Sequence, residues 1–143
     1  MNQDTITLVR ASWRKVEAIA PTAGALFYER LFAADPGLRS MFRGDMIEQG
    51  TKLMQMIGAA VGRLDDLPSL RPVLQDLARR HVGYGVREQD YRTVGDALLQ
   101  TLQLGLADEF TPPVREAWEQ VYGVLSGTMI AAARAQPLPS ADD

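Results

Sequence analysis

Apolar residues recur every three to four positions along nearly the whole chain, and no apolar–polar alternation interrupts them. A period near 3.6 puts such residues on one face of an α-helix, whereas a strand needs a period of two. No hairpin dipeptide separates two apolar runs. The chain is therefore expected to be all-α.

Local punctuation divides the pattern. Thr5 is the expected N-cap of a first helix, with Ile6, Val9, Trp13 and Val16 on one face. Pro21 opens a second, loaded with Leu26, Phe27, Leu31 and Phe32, and Asp35-Pro36-Gly37 breaks it before a short segment to Phe42. Arg43-Gly44-Asp45 is a turn. Met46 to about Leu64 reads as a helix burying Leu53, Met54, Ile57 and Val61, ended by Asp65-Asp66-Leu67-Pro68-Ser69. The helix carrying His81 stops at Gly83 and Gly85. Glu88 to Leu106 follows, with Tyr91, Val94, Leu98 and Leu102 in line. Thr111-Pro112-Pro113 starts a last helix to about Ala135, burying Val114, Trp118, Val121 and Leu125. About seven unequal helices without a sustained heptad favour irregular ridge-and-groove packing over a four-helix bundle. Residues 1–135 read as one domain, and 136–143, rich in proline and aspartate, as a disordered tail.

Composition removes several function classes. The 143 residues are 46% hydrophobic, enough for a core, with net charge −3 and pI near 5.2. No basic field advertises nucleic acid or an anionic membrane. Absence of cysteine excludes disulfides, thiolate nucleophiles and iron–sulfur clusters. The start, Met1 to Arg10, lacks a signal-type apolar region, and Leu53 to Val61 is too short to span a bilayer. A cytoplasmic protein is expected.

His81 is the only histidine. Leu70, Leu74, Leu77 and His81, spaced by four, three and four, put its imidazole on the buried side of a helix. One imidazole excludes a multi-histidine metal cage. A zinc site fares poorly, because Glu88 lies beyond the glycine break. There is no nucleophile elbow and no glycine-rich phosphate loop. Two readings remain: a satisfied core histidine, the commoner case, or one axial bond to a metal carried by a large planar cofactor.

Linked motifs bear on that choice. Leu26-Phe27-Tyr28-Glu29-Arg30-Leu31-Phe32 is followed by Asp35-Pro36, Met41-Phe42 and Gln49-Gly50-Thr51-Lys52-Leu53-Met54. Then come Leu77-Ala78-Arg79-Arg80-His81, Tyr91-Arg92-Thr93-Val94-Gly95 and Trp118-Glu119-Gln120-Val121-Tyr122-Gly123. In this order the chain, from about Thr5 to Ala133, resembles the globins, specifically bacterial single-domain globins related to the globin half of flavohemoglobins.

The resemblance implies a globin fold around one noncovalent heme b. His81 matches the proximal ligand of the iron, Phe42 the aromatic residue on the heme face, and Tyr28 and Gln49 the distal polar positions. Leu53 matches the apolar residue over the iron, and Tyr91 a tyrosine near the proximal histidine. Lys52 and Arg80 are candidate propionate partners, and Val94 and Leu98 belong to the core around the heme. Read from the residues alone, Tyr28 and Phe42 fit ordinary core aromatics equally well. Gln49, Lys52 and Arg80 fit solvated side chains. Tyr84 and Trp118 are assigned to packing.

Two departures stand out. Where the resemblance calls for a glutamate near the proximal histidine, the chain has Ala131-Ala132-Ala133, which weakens the expected push on the iron. No flavin or nicotinamide domain is present, so electrons are expected from an external reductase. With no second histidine, bis-histidine iron is excluded in a monomer.

The expectation is reversible binding of dioxygen, carbon monoxide and nitric oxide by a monomer or weak homo-oligomer, rather than an enzyme. Nitric oxide detoxification with a separate reductase is a subsidiary expectation. The alternatives are a heme-based gas sensor and a heme-free helical interaction domain.

Overall fold

Capping groups and prolines decide where the helices of this chain begin. The computed structural model describes residues 1–42 and 44–135, so the expected tail lies outside the described residues. Helix α1 (Gln3–Glu17) starts earlier than expected, because Asn2 and not Thr5 caps it. The Asn2 carboxamide oxygen accepts the Thr5 N–H at 2.9 Å, while the buried Thr5 hydroxyl donates to Gln120 on the last helix at 3.0 Å. Both residue types cap well, and Asp4 in the first turn favours the longer helix through the macrodipole.

Helix α2 (Ala20–Ala34) carries Pro21 in its first turn, and Asp35 ends it. A 3-10 helix, Pro36–Met41, follows, with the Asp35 carboxylate accepting from the Gly37 N–H at 3.1 Å. Helix α3 (Met46–Gly62) ends two residues before the expected Leu64. Arg10 closes that end, donating to the Val61 and Gly62 carbonyls at 3.1 Å each and to Asp65 at 3.0 Å. Helix α4 (Leu67–Gly83) absorbs Leu67, Pro68 and Ser69, which the sequence reading placed in the break. Proline in a first turn loses no bond, since those N–H groups have no partner in the helix. Helix α5 (Glu88–Leu106) and helix α6 (Pro112–Ala135) fall where the pattern puts them. An unforeseen 3-10 turn, Ala107–Glu109, links them. The described residues contain no strand, so the expected all-α architecture holds.

Two devices fix the frame. A β-carbon on Gly24 would lie 3.2 Å from the Gly50 α-carbon, so α2 and α3 cross with their backbones in contact. Trp13 of α1 and Trp118 of α6 pack with ring centroids 6.0 Å apart, and the Trp118 indole donates to the Ser12 hydroxyl at 2.8 Å. The core falls into two apolar clusters. One gathers α1, α2, much of α3, α5 and the first half of α6 around Val9, Leu31, Leu102 and Trp118. The other joins α4 to the far end of α6 through Leu70, Leu74, Ala78, Tyr91 and Met129. Between the clusters lies a cavity.

Candidate cofactor site

The cavity of about 230 Å³ takes its walls from both clusters: Phe27, Leu31 and Leu98 on one side, Leu74, Leu77 and Met129 on the other. Leu53 and Ile57 of α3, expected as buried core, are only half-buried because they face this space. Leu77 and His81 of α4 behave likewise. A helical stripe read as core here lines a slot in the core.

His81 ends the stripe, half-buried between two tyrosines. Its ring lies 6.3 Å from that of Tyr91 at 23°, and 6.3 Å from the exposed Tyr84 at 49°. Nδ1 is buried with no hydrogen-bond partner. Burial holds the imidazole pKa below its ordinary value. The Leu77 carbonyl, near but outside hydrogen-bonding geometry, pulls it partly back, and Arg80 adds to the lowering. The ring is therefore neutral at neutral pH and keeps a nitrogen lone pair. Among the described residues, no acid acts on it. That agrees with the alanines at 131–133.

The chain after α4 folds back over its end. The Val86 N–H donates to the His81 carbonyl at 3.0 Å, and Gly85 turns the backbone at φ +86°. Arg87 then anchors this corner. Asp90, 2% exposed and a wall of the cavity, accepts the Arg87 N–H at 2.8 Å and its guanidinium at 3.0 Å. The same guanidinium reaches Asp35 at 3.6 Å. One arginine thus ties the His81 corner to the turn that leads to Phe42. Sequence reading missed this cluster: Arg87 and Asp90 are near neighbours at the start of α5, but Asp35 comes from a distant turn.

Phe42 faces the cavity from an aromatic nest, edge-on to Tyr28 at 5.2 Å and to Phe32 at 5.5 Å. Tyr28 is buried and does not line the cavity; its hydroxyl donates to the Gln49 carbonyl over a long 3.4 Å. Burial pushes its pKa up to about 12, so the phenol stays a donor. Gln49 is half-buried at the start of α3. Of the other anticipated residues, Leu53, Tyr91, Val94 and Leu98 line the cavity. Lys52 and Arg80 are exposed outside it, and Arg80 is paired with Asp76. Trp118, expected only to pack, also forms cavity wall. Met129 and Ser126 were not foreseen, although Met129 continues the Val114, Trp118, Val121, Leu125 stripe by four residues.

A large apolar slot with a single neutral imidazole fits an iron porphyrin, which needs apolar walls on both faces and one nitrogen donor. Among the described residues, no group of three or more histidines, aspartates or glutamates could hold a bare metal ion, and no helix is long and apolar enough to cross a membrane.

Comparison with known proteins agrees with this geometry. Residues 25–129 match the Globin family. The neuroglobins of Dissostichus mawsoni and Danio rerio are each 35% identical to the chain over 136 aligned residues, covering 85% of it and 86% of the relative. Neuroglobin-2 of Oncorhynchus mykiss is 32% identical over the same span. These relatives are vertebrate proteins, and none of the three is a flavohemoglobin. An apolar slot walled by six helices, one imidazole in its wall and a match over most of the length lead to one conclusion: the chain belongs to the globin family.

Proposed function

We propose that the protein binds one heme b noncovalently through His81 and uses it to hold dioxygen and other diatomic gases reversibly. The observation that carries this reading is the lone imidazole, kept neutral by burial, in the wall of a predominantly apolar cavity. When bound, the heme supplies an iron centre that takes small gas molecules. The chain's own residues do the rest. His81 would donate one nitrogen, and its orphaned Nδ1 has the Leu77 carbonyl nearby to orient it. Phe42, Leu53, Val94 and Leu98 would pack the ring and exclude water. Tyr28, held protonated just behind the cavity wall, and Gln49 would have to turn inward to offer hydrogen bonds to a ligand that gains negative charge. Tyr28 would exchange only a long bond to the Gln49 carbonyl for that contact. Lys52 and Arg80, both outside the cavity, would meet propionates only at its rim. With no second histidine in the chain, any further bond to the iron would fall to a gas, to water or to a weaker side chain.

Nitric oxide dioxygenation with an external reductase belongs to the same proposal, as does descent from the bacterial single-domain line. That no acid among the described residues acts on His81 favours storage or binding over peroxidase-like chemistry. Titration with hemin, followed by ferrous and carbonmonoxy spectra, tests the core of this reading. An intense band that shifts with carbon monoxide and is altered in His81→Ala supports it. A folded protein that stays colourless with hemin sinks it.

A further inference from the structure

A groove of about 590 Å³ runs between α5 and α6 on the outside of the molecule. Gly95 and Gly123 leave it deep, and Arg92, Asp96 and Glu119 are among the charged groups around it. Tyr91, Tyr122 and Ser126 line both this groove and the internal cavity. The partition between solvent and cavity is therefore one side chain thick.

Tyr122 forms much of that partition. A β-carbon on Gly95 would sit 2.6 Å from Cε2 of the Tyr122 ring, so glycine alone leaves the ring its place. The hydroxyl donates to the Tyr91 carbonyl at 2.5 Å. That single bond closes the ring against α5. Beside it, the Ser126 hydroxyl reaches only the Gly123 carbonyl, at 3.5 Å. On the inner side stand apolar Leu125 and Met129. An ion crossing here would lose its hydration without compensation, whereas an uncharged diatomic molecule loses almost nothing.

We propose that Tyr122 is a latched gate in a second portal, through which small uncharged gas molecules pass between the α5–α6 groove and the cavity. The proposal rests on the reading of that cavity as a gas-binding heme site.

Two substitutions test it in hemin-loaded protein, read by carbon monoxide escape and re-entry after a light flash. Tyr122→Phe keeps the ring and removes the latch. It should speed exchange about two- to tenfold, the equivalent of one hydrogen bond's net contribution. Gly123→Leu adds a side chain where a β-carbon meets nothing within 4 Å, so it plugs the groove without crowding the helix. It should slow exchange, and the double variant should return toward the parent rate. Xenon, followed at the buried Met129 methyl by NMR, needs no iron, so it decides the portal even where the heme reading fails. Slower xenon exchange in Gly123→Leu supports the gate. Unchanged gas and xenon exchange in both variants, each unfolding at the parent temperature, overturns it. Faster exchange in Tyr122→Phe with Gly123→Leu inert points to loosened packing and overturns it too.

Discussion

The two walls of the cavity are built differently. The wall from α2 and α3 is fixed by main chain against main chain at Gly24 and Gly50, and α3 also packs on α1. Its aromatic nest of Tyr28, Phe32 and Phe42 is closed on itself. The wall from α4 packs chiefly against α6 and belongs to the smaller apolar cluster. It holds the one imidazole, with an unpartnered nitrogen. The scaffold completes the first wall by itself, whereas the second keeps a buried imidazole nitrogen without a partner and rests on the smaller apolar cluster. Local stability follows buried apolar contact, so the α4 wall belongs to the low-stability part of the fold before loading.

Paired truncations put this contrast under the greatest strain. Leu31→Ala removes a side chain 1% exposed and should cost about 3 kcal/mol in urea unfolding of hemin-free protein. Leu77→Ala, half-buried on the cavity side, should cost about 1 kcal/mol there and clearly more once hemin is bound. Equal costs in the hemin-free state would erase the distinction. Next in size, Gly24→Ala forces the α2–α3 crossing apart and should lose about 2 kcal/mol, with the cost unchanged by hemin. Arg87→Ala comes third. It leaves the buried Asp90 carboxylate without its guanidinium and should cost about 1 kcal/mol. Because Arg87 bridges both corners, hemin dissociation should also quicken, and Arg87→Lys should restore part of it.

The smallest effect is a pH dependence. His81 in the folded, hemin-free protein has a pKa below its ordinary value. The unfolded chain therefore takes up the proton more readily, and stability falls as pH drops below about 6.5 toward the depressed folded value. His81→Gln should remove that slope from the urea midpoint. A slope that survives the substitution assigns it to another group.

Much of this was readable from residues. The stripe Leu70, Leu74, Leu77, His81 places the imidazole correctly because helical period and burial follow the same geometry. The Glu88–Leu106 boundaries were legible because a glycine-containing turn precedes them and the apolar face is unbroken. Competition between equally good signals hid other features. Asn2 and Thr5 both suit an N-cap, and the pull of Gln120 on the Thr5 hydroxyl, with Asp4 in the first turn, separates them. Leu67-Pro68 reads as a breaker, yet proline there is simply a helix start. The reach of Arg87 to Asp35 and the part of α6 at Ser126 and Met129 arise from tertiary crossing, which no local period encodes.

The glycine contact between α2 and α3 carries a wider consequence. Where two helices meet through α-carbons, their separation does not depend on the size of any nearby side chain. Tyr28 lies one turn from Gly24, and Gln49 adjoins Gly50, so both project from a frame that their own replacement would not shift. Such a wall can be relined. Evolution, or a designer, can change the side chains at positions 28 and 49, beside the cavity wall, while the distance between the two helices stays constant.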